Sequence, residues 1–167
     1  MVGKTKEEVD IIDLGCGTGL VGKYLLEDGF KNCVGLDASR GMLNEAEKRN
    51  LYTEYIELFL GKPETYPDSL KNKFDFTTAS GILADNHLDC SVFEGMLLSL
   101  RNGGIAIFAT RTEYLEKYQY GPYMKKLEDE GKWKFVKEIT FNRYDQLESA
   151  VGRFSKTEAK AFAYQKI

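Results

Sequence analysis

The chain has 167 residues, 43% of them hydrophobic and 29% charged, with a formal net charge of −3. That size suits one globular domain with a core of its own, and an acidic balance with lysines scattered among glutamates argues against nucleic acid as the main partner, because neutralising phosphates takes a concentrated basic face. Three widely separated cysteines, Cys16, Cys33 and Cys90, offer neither a disulfide framework nor a pair at metal spacing, and the chain has no apolar run of membrane-spanning length and no signal-peptide core, so a reduced, cytoplasmic setting without a metal site is expected.

The run "VDIIDL" (9–14) is short, apolar and closed by a carboxylate and a glycine turn, the pattern of a buried parallel strand. A helix is expected from Leu20 to Asp28, closed by Gly29. "NCVGLD" (32–37) reads as the second strand, Ser39 caps a helix over "RGMLNEAEKRN", and "YIELFL" (55–60) reads as the third strand. "FDFTTAS" (74–80) is the fourth strand, "SVFEGMLLSL" (91–100) an amphipathic helix and "GGIAIFAT" (103–110) the fifth strand. One long helix is expected around 112–130, followed by two strands, "KWKFVKEITF" (132–141) and "EAKAFAYQKI" (158–167). The clusters "EAEKR" (45–49) and "KKLEDEGK" (125–132) read as solvated helix faces with i,i+4 pairs. Strands alternating with helices predict a doubly wound α/β sheet with right-handed crossovers, and the last two strands, lacking a crossover helix, must pair antiparallel.

The stretch "DLGCGTGLVG" (13–22) carries two overlapping glycine patterns: Gly15, Gly17 and Gly19 spell G-x-G-x-G, while Gly17, Gly19 and Gly22 spell the dinucleotide pattern G-x-G-x-x-G. A dinucleotide loop needs its first glycine directly after the strand, where the pyrophosphate meets the helix N-terminus, and Gly17 comes too late for that. Asp13 would also put a negative charge where a dinucleotide brings two phosphates. S-adenosylmethionine has no phosphate and carries an ammonium and a sulfonium, so it fits an acidic strand end with a bare glycine loop better than NAD does. Asp37, at the end of the second strand, suits the ribose hydroxyls of adenosine in either cofactor.

On "DLGCGTG" and "GLDAS" in this strand context, the chain resembles the class I S-adenosylmethionine-dependent methyltransferases over nearly all its length. "DLGCGTGLVGKYL", "GLDASRGMLNEAEKRNLY" and "NGGIAIFATRTEYL" are similar to the Williams-Beuren syndrome chromosome-region methyltransferase-like proteins. The resemblance implies one domain over 1–167, a mostly parallel seven-stranded Rossmann-like sheet of order 3-2-1-4-5-7-6, and methyl transfer from S-adenosylmethionine to a small-molecule or protein acceptor. It further implies cofactor contacts from Asp13, Gly15, Cys16, Gly17 and Gly19 in the glycine loop, and from Asp37, Ala38 and Met42 after the second strand. Leu60 and Gly61 at the end of the third strand and Ser80 and Gly81 at the end of the fourth complete that set. Two departures from the family pattern matter. "LGKPE" (60–64) stands where many members place an acidic residue near the adenine, so a backbone carbonyl or Glu64 is expected there instead. Only about nine residues precede the first strand, so the usual N-terminal lid is expected to be short or missing. Two alternatives stay open: a noncatalytic S-adenosylmethionine-binding module acting through a partner, and an NAD-dependent oxidoreductase, which Asp13 and the terminal hairpin disfavour.

The loop "SGILADNHLD" (80–89) lies at the carboxyl edge where ligands of such sheets bind and contains Asp85, Asn86, His87 and Asp89. His87, the sole histidine, has a pKa suited to proton transfer near neutrality, although helix-capping and solvent-facing histidines are commoner. Asp85 and Asp89 read as turn and N-cap residues. Arg111 either pairs with an acceptor carboxylate or forms a structural salt bridge. Tyr114, Tyr118, Tyr120 and Tyr123 either wall an aromatic pocket or pack a helix on the sheet. Cys16 reads as a small residue behind the cofactor, and no residue is assigned the chemistry itself.

Overall fold

Ile11 and Ile12 are 2% and 0% exposed although they point to opposite faces, so the strand that carries them is covered on both sides. The computed structural model describes residues 3–85, 88–143 and 157–167. Its strands are β1 (Asp10–Leu14), β2 (Asn32–Asp37), β3 (Glu54–Glu57), β4 (Phe74–Leu83), β5 (Leu100–Arg111), β6 (Trp133–Arg143) and β7 (Thr157–Lys166). The helices are α1 (Leu20–Glu27), α2 (Arg40–Glu47), α3 (Ser91–Ser99), α4 (Thr112–Lys117) and α5 (Tyr120–Asp129). They form one sheet of order 3-2-1-4-5-7-6 in which β1 to β5 run parallel and β7 lies antiparallel between β5 and β6. This is the doubly wound α/β arrangement with a terminal hairpin.

Each face of the sheet has its own core. On one face Val9, Ile11 and Cys33 pack with Leu43 and Ala46 of α2 and with Leu51 and Tyr52. On the other, Ile12, Leu36 and Phe108 pack with α3 and α5 around Phe93, Tyr120 and Trp133. The Trp133 ring stacks on Tyr164 at 4.5 Å and its indole N–H donates to the Met124 carbonyl at 3.0 Å, which locks α5 onto the hairpin.

The helix expected over 112–130 is two helices. Gln119 sits between them with φ +60°, and Pro122 falls in the first turn of α5, where its missing N–H is harmless; in one continuous helix it would have left the Tyr118 carbonyl without a partner. The third strand ends at Glu57 instead of residue 60: Leu58 N still donates to the Asp37 carbonyl at 3.0 Å, but Asp37, the register partner of Glu57, is the last residue of β2 and the pairing stops there. The fourth strand runs on to Leu83 through an irregularity between Ser80 and Leu83, where Gly81 has φ +84°. Solvated helix faces carry the expected charge pairs, Lys125–Asp129 at 2.6 Å and Lys126–Glu130 at 3.8 Å. Asn86 and His87 lie outside the described residues. Among the described residues, no helix is long and apolar enough to cross a membrane and no group of three or more His, Cys, Asp or Glu is placed to hold a metal.

Candidate functional site

Parallel strands bring their carboxyl ends to one edge of a sheet, and the loops leaving that edge form the ligand crevice. Five residues, 15–19, carry the chain from β1 to α1. The loop begins with the Gly15 and Cys16 N–H groups both donating to the Leu36 carbonyl, at 2.8 and 2.9 Å, which pins it to β2. It then turns through the left-handed region at Gly15 (φ +69°) and Gly17 (φ +55°), conformations that favour glycine. Asp37 closes the arrangement: its Oδ2 accepts from Gly17 N at 2.9 Å and its Oδ1 from Ser39 N at 2.8 Å. Ser39 Oγ in turn accepts from Met42 N at 3.4 Å and caps α2.

These loops wall a cavity of about 520 Å³, within the range of small-molecule sites. Of the residues expected at a cofactor, Gly15, Gly17, Asp37, Ala38, Met42, Leu60, Ser80 and Gly81 line it. Leu36, Ser39, Leu58, Phe59, Ile82 and Leu88 also line it and were not singled out from the sequence. Most of them are immediate neighbours of the expected residues at the same strand ends, a signal that a window of one or two residues would have caught.

Four expected residues lie off the lining. Asp13 is 1% exposed and turned into the fold, where Oδ2 accepts from the Tyr52 hydroxyl at 2.6 Å and Oδ1 from the Thr78 hydroxyl at 2.7 Å. Burial raises its pKa from 3.8 to about 6 against those two hydrogen bonds, and the Asp37 charge adds to the rise. Cys16 is buried behind the loop, its thiol pushed up to about 12 by burial and by the charges of Asp13 and Asp37, so it is held as an unreactive thiol. Gly19 faces the protein interior, since a Cβ there would lie 2.5 Å from Leu51 Cδ1. At Gly61 a Cβ would strike the Phe59 ring at 2.4 Å. Glu64, in the short turn Pro63–Thr65, is likewise absent from the lining.

A smaller recess of about 90 Å³ adjoins the cavity, shares Ser80 and Gly81 with it, and reaches Thr110, Arg111, Phe141 and Ala159. Arg111 lies 5.3 Å over the Tyr114 ring and 3.3 Å from Glu113. The tyrosines after β5 serve packing and hydrogen bonding. Tyr114 and Tyr120 are 3% and 1% exposed; Tyr114 donates to Asp85 at 2.6 Å, Tyr118 also donates to Asp85, and Tyr120 donates to the Leu88 carbonyl at 2.7 Å. Tyr123 donates to Glu94 at 3.0 Å. Lys117, 2.8 Å from Asp85, and the Tyr114 hydroxyl hold that carboxyl below its ordinary range. Asp89 accepts from Ser91 N at 2.8 Å, but the N-cap of α3 is Cys90, so Asp89 sits one residue ahead of the cap expected of it and holds the turn that leads into the helix.

A nucleoside ligand fits what is present. A Cβ at Gly81 would meet nothing within 4 Å and one at Gly17 would meet only Met42 Sδ at 3.7 Å, so bare backbone faces the cavity. Asp37, with one amide on each oxygen, keeps lone pairs for two further donors, the requirement of a ribose diol. Met42, Leu58, Leu60 and Leu88 supply apolar walls for a base.

Residues 11–104 match the family described as "Methyltransferase domain". The chain is 33% identical over 128 residues to human Methyltransferase-like protein 27, a match covering 74% of this chain; it spans about half of that relative's length, 50%. A candidate S-adenosylmethionine-dependent methyltransferase from Listeria monocytogenes has the same fold, with a TM-score of 0.70 at 15% identity over 98% of this chain and 93% of the other. An S-adenosylmethionine-dependent methyltransferase from Mesorhizobium loti superposes with a TM-score of 0.66 at 20% identity, covering 95% of this chain and 91% of its own.

Proposed function

The chain belongs to the methyltransferase-domain family, and from that premise we propose that it transfers a methyl group from S-adenosylmethionine to a small-molecule or protein acceptor. The single observation that carries the reading is Asp37, a carboxylate lining the cavity whose two oxygens are each fixed by one backbone N–H and each keep room for a ribose hydroxyl. Within the family we group the chain with the Williams-Beuren syndrome chromosome-region methyltransferase-like proteins on the three motifs quoted above, a grouping that names no acceptor.

S-adenosylmethionine is the cofactor and supplies a methyl carbon already activated by its sulfonium. The protein's part is then to bind, orient and exclude water. Asp37 takes the ribose, the backbone at Gly15 and Gly17 receives the amino-acid end, and Met42, Leu58 and Leu60 enclose the adenine. The recess that shares Ser80 and Gly81 with the cavity gives an acceptor a place beside the cofactor.

Calorimetric titration of S-adenosylmethionine and NAD, followed by labelled-methyl transfer into fractionated extract, tests the reading. Asp37→Asn keeps the size but turns one acceptor into a donor that faces a backbone N–H. It is expected to weaken S-adenosylmethionine by roughly 10-fold to 100-fold. Preference of the wild type for NAD would overturn the proposal.

A further inference from the structure

Gly22, the third glycine of the dinucleotide pattern, does not line the cavity, and its surroundings give it another purpose. A Cβ at Gly22 would lie 2.3 Å from Tyr52 Cζ, one at Gly35 2.7 Å from Tyr52 Cδ2, and one at Gly19 3.3 Å from Tyr52 Cε2. The Tyr52 ring therefore fills a slot whose walls are glycines of α1, β2 and the loop. Tyr52 is 8% exposed, and Tyr55 meets it edge-on at 5.6 Å. At the end of the slot its hydroxyl donates to Asp13 Oδ2 at 2.6 Å and accepts from Gly22 N at 3.1 Å. One oxygen atom thus ties the end of strand β1 to the first turn of α1, the two ends of the glycine loop.

We propose that Tyr52 is a positioning residue for the cofactor loop, holding both its ends so that Gly17 N stays on Asp37 and the loop backbone faces the cavity. The proposal rests on the S-adenosylmethionine reading above. Tyr52 acts at one remove, since it does not line the cavity. The role calls for a hydroxyl, because the group must donate to a carboxylate and accept from an amide at once. Thr78 satisfies the other oxygen of Asp13, so that carboxylate is occupied in joining β1, β4 and the Tyr52 segment. The overlap of two glycine patterns in "DLGCGTGLVG" follows: Gly15 and Gly17 serve the cavity, whereas Gly19 and Gly22 make room for Tyr52 and its neighbours.

Tyr52→Phe keeps the ring in its slot and removes one oxygen. The expected result is an S-adenosylmethionine Kd raised about 10-fold by calorimetry. Amide exchange should quicken in residues 15–23 while β4 and β5 keep their wild-type protection. A second variant separates the tie from the buried charge: adding Asp13→Asn to Tyr52→Phe relieves the carboxylate that lost its donor, so the unfolding midpoint should recover while the affinity stays weak. An unchanged Kd in Tyr52→Phe, an exchange increase spread evenly over the sheet, or affinity that recovers together with the midpoint would each overturn the proposal. Wild-type protein that does not take up S-adenosylmethionine would overturn the cofactor reading itself, and the proposal with it.

Discussion

Asp13 holds its proton more tightly in the folded protein than in the unfolded chain, because burial outweighs the hydrogen bonds from Tyr52 and Thr78 and moves its pKa from 3.8 to about 6. The sign follows from linkage. The stability contributed by this group is fully present below about pH 4 and is lost as pH rises through about 6. The gap between the two values corresponds to about 3 kcal/mol. Asp13→Asn cannot ionise, yet its amide can still meet both hydroxyls, each of which can donate or accept. Wild-type stability is therefore expected to fall by about 3 kcal/mol relative to the variant between about pH 4 and pH 7. Urea unfolding of both proteins across that range measures it. The difference between the two curves removes the opposite slope of carboxyls such as Asp85, whose pKa is lowered by Lys117 and Tyr114. A difference that stays flat with pH would mean that Asp13 ionises as readily in the fold as outside it.

The glycine loop divides its work between folding and binding, and two of its glycines should separate the two. A Cβ at Gly15 would lie 2.1 Å from Ile82 Cγ2 at a φ of +69°, so Gly15→Ala combines a clash with backbone strain and is expected to cost about 2 kcal/mol or more of stability. At Gly17 the nearest atom is Met42 Sδ, 3.7 Å away, and a side chain has room in the fold. Gly17→Val should leave a folded domain, at a strain of about 1–2 kcal/mol, while its branched side chain stands where a ligand must approach and abolishes S-adenosylmethionine binding. Thermal unfolding and calorimetry on both variants check the pair; a folded Gly17→Val with wild-type affinity would remove the loop from the ligand site. Elements of this kind were legible in the sequence because periodicity and caps are local: β1, β2, α1 and α3 lie within a residue or two of their expected limits. The break between α4 and α5 was also written locally, in "QYGPY" (119–123), since a proline inside a helical pattern leaves a carbonyl unpaired.

Across the whole molecule, strand-end residues converge because a parallel sheet puts its carboxyl ends at one edge, so Asp37, Ser80 and Gly81 could be placed together from the order of elements alone. The inward turn of Asp13 could not, because its partners Tyr52 and Thr78 are 39 and 65 residues away in sequence and no local pattern joins them. The same convergence makes a global prediction. The cavity is walled by residues at or just beyond the carboxyl ends of β1, β2, β3 and β4, so a ligand there bridges four parts of the fold and can bind only when the chain is folded. Mass action then stabilises the folded state by about 2.7 kcal/mol at a hundredfold excess over Kd, which for a domain of this length raises the unfolding midpoint by roughly 5 to 10 °C. Asp37→Asn at the same concentration should keep about half of that rise if its affinity falls tenfold, since each tenfold in Kd removes about 1.4 kcal/mol. NAD at the same concentration should leave the midpoint where it was. A rise with S-adenosylmethionine that is identical in Asp37→Asn would move the ribose away from that carboxylate, and a rise with NAD alone would assign the cavity to a dinucleotide. A normal rise without labelled product in any extract would favour a protein that binds S-adenosylmethionine and acts through a partner.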